Sequence, residues 1–285
     1  MSAFQTLRKA LVGSYFRGRT VLVTGASSGI GRELGQSLAA LGAQVAIVAR
    51  RRPLLEELAN EIGAAGHAQP LVLVADVTKR KPCRDAVDHA IAHFGHLDLL
   101  INSAGIMEMG PVESMEAASL ERMMSVNLFG TLHMMQAVIP SMRAARTGNI
   151  VNIASLAGRR GTPPIGGYCA SKFAVVGLTE ALRVELYGSG VKVSLVMPGL
   201  IDTPMTQGTA GGDSLSGAPG FFAMPAQWVT WAVIAAVVLG LTEVDVPPGA
   251  VIGEKIAALF PGITDGALAI GRRIMDWRGD RAKPE

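Results

Sequence analysis

Tyr168 and Lys172 stand four residues apart in Tyr168-Cys169-Ala170-Ser171-Lys172, so on a helix both side chains project from one face. A phenol with an ordinary pKa of about 10 is a poor proton donor and a worse base near neutrality. A neighbouring ammonium stabilises the phenolate and is expected to lower that pKa, letting Tyr168 exchange a proton with a carbonyl or alcohol oxygen. Ser155, thirteen positions earlier, offers a hydroxyl that can hydrogen-bond to the same oxygen and fix its position. By itself Tyr-x-x-x-Lys equally describes a packed tyrosine beside a solvated lysine. Cys169 reads as a small packing residue, since no histidine stands in a recognisable relation to it.

The elements around these residues give the pattern its meaning. Val21 to Val23 suit a short strand buried on both faces, and the chain then runs through Thr24-Gly25-Ala26-Ser27-Ser28-Gly29-Ile30-Gly31 into an apolar helix from Leu34 to Leu41. Glycines there leave no Cβ over a tight turn, so backbone N–H groups and a helix N-terminus can approach an anionic diphosphate. Gln44 to Ala49 is a second strand, and it ends in Arg50-Arg51-Arg52. An NAD site usually carries an acid near this point for the ribose 2′-hydroxyl, whereas a 2′-phosphate calls for arginine. Arg50 is the candidate for that phosphate, with Arg51 assisting; a solvated charge run is the competing reading.

Further strands are expected at Leu71 to Ala75, Leu97 to Ile101, Gly148 to Ile153, Val191 to Met197 and Glu243 to Val246. Helices are expected from Pro53 to Ile62, Lys81 to Phe94, Met115 to Met142, Phe173 to Leu186 and Trp228 to Leu241. Ser155 falls just past a strand C-terminus, the edge where open α/β sheets bind ligands. Asn127, inside a helical stretch, is unfavourable there unless its amide finds partners. Asp76 after the third strand and Thr203-Pro204 after the sixth both also fit plain turn chemistry.

The order Thr24-Gly25-x-x-x-Gly29-x-Gly31, Asn102-x-Ala104-Gly105, Asn127, Ser155 and Tyr168-x-x-x-Lys172 resembles the short-chain dehydrogenase/reductase family over roughly residues 19 to 205. The resemblance implies an α/β fold: one Rossmann domain with a doubly wound parallel sheet of about seven strands and helices on both faces. It implies an NADP(H)-dependent oxidoreductase moving a hydride between nicotinamide and a carbonyl/alcohol pair. Ser155, Tyr168 and Lys172 take the catalytic roles, and Asn127 holds a water that links the lysine to solvent. Cofactor contacts are implied for Thr24, Gly25, Ser27, Ser28, Gly29, Ile30 and Gly31, with Asp76 and Val77 at the adenine. Asn102, Ala104, Gly105, Pro198 and Gly199 line its path, Tyr168 and Lys172 meet the nicotinamide ribose, Ile201 meets the carboxamide, and Thr203 meets the carboxamide or the diphosphate. Ser103 departs from the family's Asn-Asn-Ala-Gly run, removing a side chain thought to steady the central sheet. A homodimer or homotetramer follows from the same resemblance.

With 285 residues, 49% hydrophobic, 17% charged and 34 glycines, the chain suits one large two-sided sheet and not a disordered polymer. The domain is placed at 19–250, with an amphipathic segment at 1–18 and an extension at 251–285. The net charge of +3 is spread out, with no aromatic interleaving, so nucleic acid is not an expected partner. Two cysteines and scattered histidines give no disulfide framework and no metal site, fitting a reducing, cytoplasmic setting. The apolar run 228–241 is too short to span a bilayer and reads as a buried helix, leaving peripheral membrane contact as the open alternative. Residues 205–225, rich in Gly, Ser, Thr and Pro with Phe221-Phe222-Ala223-Met224 near the end, read as a lid over a lipophilic small-molecule substrate. The alternative function is an NADP(H)-binding regulator without catalysis.

Overall fold

The computed structural model describes residues 12–208 and 223–250, together with 252–253, 259–263, 265–266 and 269 of the C-terminal extension. Runs of Val, Ile and Leu form the strands β1 (Thr20–Thr24), β2 (Gln44–Ala49), β3 (Leu71–Val74), β4 (Leu99–Asn102), β5 (Gly148–Ile153), β6 (Val191–Pro198) and β9 (Glu243–Val246). They make one parallel seven-stranded sheet in the order β3-β2-β1-β4-β5-β6-β9. A two-residue ribbon, β7 (Ile201–Asp202) with β8 (Met224–Pro225), joins the two ends of the 205–225 segment, of which 209–222 lie outside the described residues.

Helices cover both faces. On one lie α1 (Gly29–Ala40), α2 (Arg52–Ala64) and α7 (Ala226–Leu239), packed on Val21, Val23, Ile47, Ile101, Val151 and Val196. On the other lie α3 (Arg80–Phe94), α5 (Gly130–Ala145) and α6 (Gly166–Glu185), packed on Leu22, Ala46, Val48, Leu100 and Ile150. Alternate residues of each strand therefore enter opposite cores, which is why the central strands are apolar throughout. The described part of the N-terminal segment joins the first core: Phe16 is fully buried, and Arg19 sits over the Tyr15 ring, 5.0 Å from its centroid. The apolar helix expected at 228–241 is α7; Val229, Val233 and Val237 are buried, and among the described residues no helix is long and apolar enough to cross a membrane.

The sheet order reverses between β1 and β4, whose following loops meet at the C-terminal edge. The expected helix from Met115 to Met142 is built instead from α4 (Ala117–Met123), a π-helical segment (Met124–Phe129) and α5. The wider turn falls on Asn127, as π segments often mark functional positions.

Candidate functional site

The glycine loop packs against the loop after β4. Gly25 has a positive φ of 71°, and a Cβ there would lie 2.8 Å from the Ala104 backbone; one on Gly31 would lie 2.5 Å from the Gly25 carbonyl. Glycine is thus required twice, once for the turn and once for close approach. Thr24 Oγ1 accepts from Ser103 N at 3.0 Å and Ala104 N at 3.1 Å, so one side-chain hydroxyl locks the two loops together through backbone N–H groups. The Ser103 side chain has no part in those bonds. Ser28 caps α1 without a side-chain bond to the helix, and its hydroxyl with that of Ser27 faces Arg51, whose Nη2 lies 3.2 Å and 2.9 Å away. Arg50 is exposed at the end of β2. A helix N-terminus without acidic residues in its first turn, two hydroxyls and a guanidinium fit the anionic diphosphate of a dinucleotide.

Ser155 leaves β5 as the cap of a 3₁₀ turn, Leu156–Gly158. Its Oγ accepts from Ala157 N at 3.1 Å and donates to the Pro198 carbonyl at 3.1 Å. Tyr168 and Lys172 lie one turn apart in α6, with the Lys172 Nζ 5.6 Å from the Tyr168 ring centroid. Lys172 is only 5% exposed and donates to the Ile153 carbonyl at 2.9 Å. Burial lowers its pKa from 10.5 to about 8. Burial also pushes the half-buried Tyr168 up to about 12, against the pull of a Ser155 hydrogen bond and with a small contribution from Cys169. Ser155 has one proton, which the geometry commits to the Pro198 carbonyl, so its help to the phenolate is the weaker effect. The expected lowering of the tyrosine by its lysine is therefore not what this arrangement gives: desolvation outweighs an ammonium that makes no hydrogen bond to the phenol.

Asn127 is 1% exposed. Its Oδ1 accepts from Ile106 N at 2.8 Å, while its Nδ2 donates to the Ile106 carbonyl at 3.0 Å and to Ser171 Oγ at 2.8 Å. The amide braces the loop after β4 against α6; leaving such a group unpaired costs about 1–3 kcal/mol. Gly105 makes room, since a Cβ there would lie 3.3 Å from Asn127 Oδ1 and 3.7 Å from Lys172 Nζ. Ser171, which also donates to the Tyr168 carbonyl at 2.7 Å, had no place in the sequence reading; its only signal was standing beside Lys172.

The loop after β6 closes over the glycine turn. Ile201 is buried, and Thr203 approaches Gly29 so closely that a Cβ there would lie 3.3 Å from its Cγ2. Asp76 accepts from Thr78 N at 3.0 Å, an Asx turn that sets Val77 beneath Gly130. Asn102 donates across the sheet to Asn152 Oδ1 at 2.8 Å. Gly199 lies against Leu156 and Met224, joining the serine turn to the β7–β8 ribbon. In the extension, Arg160 pairs with Asp265, bringing that residue to within two positions of the end of the serine turn.

The short chain dehydrogenase family model matches residues 19–212, more than half of the chain. This chain belongs to the short-chain dehydrogenase/reductase family. An uncharacterised oxidoreductase of Staphylococcus epidermidis is 37% identical over 68% of this chain and 83% of its own length. A sorbitol dehydrogenase of Cereibacter sphaeroides is 37% identical over 65% and 71%, and the 11-beta-hydroxysteroid dehydrogenase 1A of Arabidopsis thaliana is 36% identical over 72% and 58%. Among solved structures, a short-chain dehydrogenase/reductase of Burkholderia phymatum in complex with NAD superposes with a TM-score of 0.80 at 26% identity, covering 87% of this chain and 96% of that one. This family member is an oxidoreductase of the alcohol/carbonyl class, using an NAD(P) cofactor and a small-molecule substrate.

Proposed function

We propose that this short-chain dehydrogenase/reductase is an NADP(H)-dependent reductase of a lipophilic ketone or aldehyde, with Ser155, Tyr168 and Lys172 at the reacting carbonyl. The observation that carries the reading is the convergence of three side chains, from the turn after β5 and from α6, on the sheet edge where the glycine loop ends. A nicotinamide cofactor bound at this edge would supply the hydride. Tyr168, held neutral by burial, gives its proton to the carbonyl oxygen, and Ser155 turns its hydroxyl from Pro198 to donate to the same atom. Lys172, anchored on Ile153, presents positive charge beneath the phenol as that proton leaves.

Preference for the 2′-phosphate is supported by Arg51 at the two loop serines and by the lack of an acid after β2. Arg50 assists from the surface. A lipophilic substrate is supported by the apolar neighbours of the serine turn, Leu156 and Met224, and by the exposed Ile252, Leu259, Phe260 and Ile263 of the extension. Pairing of two chains through the faces of α6 and of the helix running from the π segment into α5, supported by the partly exposed Phe129 and Phe173, belongs to the same reading.

The test is loss of NADPH absorbance by the purified protein across short ketones, steroid ketones and long-chain keto lipids, with NADH in parallel. Faster turnover with NADPH, concentrated in the apolar substrates, is the expected result. Equal rates with the two cofactors would remove the 2′-phosphate assignment, and binding without turnover on any carbonyl would favour a regulator.

A further inference from the structure

Arg159 directly follows the turn that carries Ser155, and its guanidinium forks between two other elements. Nη1 lies 2.9 Å from Glu180 of α6, and Nη2 lies 3.0 Å from Glu243 of β9. Arg183, farther along α6, reaches the same Glu243 at 3.6 Å and donates to the carbonyls of Val193 at 3.2 Å and Thr242 at 3.0 Å. Two arginines thus balance two carboxylates across the serine turn, the helix and the edge strand. Just before the fork, Gly158 lies flat on α6: a Cβ there would come 2.9 Å from the Lys172 carbonyl oxygen. Contact at Gly158 sets how deep the turn sits on the helix, and the fork sets its position along it.

Stability alone explains this arrangement poorly. Ion pairs with solvent access contribute about 0–1 kcal/mol. Here the Arg159 side chain is 25% exposed, and its Nε is buried without a hydrogen-bond partner, which carries a desolvation cost. What the fork does provide is a fixed reference, because Glu180 belongs to the same helix as Tyr168 and Lys172.

We propose that Arg159 is a positioning residue that holds Ser155 in register with Tyr168 and Lys172 by pinning the turn at 155–159 to α6 and β9. This rests on the catalytic reading of those three residues given above. Displacement of a reacting group by about 1 Å can cost on the order of a hundredfold in rate. A lysine in its place keeps the charge but reaches only one of two carboxylates held on separate elements.

The experiment compares Arg159→Gln and Arg159→Lys, each alone and combined with Ser155→Ala, by steady-state kinetics and by amide hydrogen exchange. Expected for Arg159→Gln is a kcat roughly ten- to a hundredfold lower, an NADPH KM within about twofold of the parent, and poor rescue by lysine. With Ser155 already replaced, the same change should cost little more, because Arg159 acts through that hydroxyl. Exchange should quicken in the peptide covering 155–160 and stay unchanged along α6. Unchanged exchange in that peptide, or kinetic losses that simply multiply with those of Ser155→Ala, overturns the proposal. Should Arg159→Gln fail to fold, Glu180→Gln removes one arm alone and must show the same pattern in weaker form, as must Glu243→Gln, which removes the other arm together with the Arg183 contact. If the parent protein reduces no carbonyl, the catalytic reading falls by itself, and the exchange measurement still decides whether Arg159 holds the turn.

Discussion

The Lys172 ammonium lies 5.6 Å from the centre of the Tyr168 ring and donates to the Ile153 carbonyl, so the lysine is tied to β5 and not to the phenol it serves. Burial moves the two groups in opposite directions, the lysine down to about 8 and the tyrosine up to about 12. Near neutrality the pair is therefore an ammonium beside an intact phenol, the protonation state that carbonyl reduction needs. As pH rises through about 8 the ammonium is lost while the phenol stays protonated. The reductive kcat/KM is expected to be level below that point and to fall above it. A profile that stays level well beyond it would remove Lys172 from the proton-transfer step.

Tyr168→Phe deletes the hydroxyl proposed as proton donor and leaves the ring packing in place. Turnover should drop by about a hundred- to ten-thousandfold, the usual range for general acid catalysis, while NADPH binding followed by fluorescence stays close to the parent value. Retained turnover would take the tyrosine out of the mechanism.

Lys172→Met separates stability from activity. A lysine whose pKa falls from 10.5 unfolded to about 8 folded disfavours the native state in full below the lower value, and the penalty fades as pH rises from about 8 to 10.5. A depression of that size corresponds to about 3 kcal/mol, reduced by the lost bond to Ile153. The variant should be inactive yet melt higher than the parent near neutral pH, with the gain shrinking in alkali. Melting below the parent at every pH would contradict a charge held at a cost.

Arg51→Asp places a carboxylate opposite the two loop serines. It should raise the KM for NADPH at least about tenfold and leave that for NADH similar or lower, whereas Arg50→Asp should do so more weakly, because only Arg51 reaches Ser27 and Ser28. Comparable losses for both cofactors would mean that the arginine shapes the loop without reading a phosphate.

Much of this was legible because some features are local. Apolar runs bounded by turn residues place β2 and β5 at their observed limits, alternation of polar and apolar residues places β9, and the glycine spacing marks the β1–α1 turn. Features set by contact across the fold were not. The π segment around Asn127 depends on the bonds its amide makes to Ile106 and Ser171, far away in sequence. The β7–β8 ribbon is two residues long and has no period to detect. Arginine at 159 resembles any surface charge until Glu180 and Glu243 are brought to it. That Arg51 turns toward Ser27 and Ser28 is set in the same way by contact across the fold.

At the opposite edge of the sheet, Asp98 should govern stability without touching catalysis. It is 9% exposed and accepts from Thr20 N at 2.9 Å, Thr20 Oγ1 at 3.1 Å and Arg19 Nη1 at 3.1 Å, with His96 Nε2 3.2 Å away. Burial pushes its pKa up, but the bonds from Thr20 and Arg19 and the charge of His96 outweigh it and hold the carboxyl below the usual value. An acid depressed in the folded state lends stability above its unfolded pKa of 3.8 and loses it as pH falls through the folded value. Asp98→Asn should cost about 2 kcal/mol near neutrality, flatten the acid limb of the stability curve and leave kcat unchanged. Melting temperature measured from neutral to acid pH checks this; a variant as stable as the parent at neutrality and just as sensitive to acid would show that the carboxylate does not hold the start of β1.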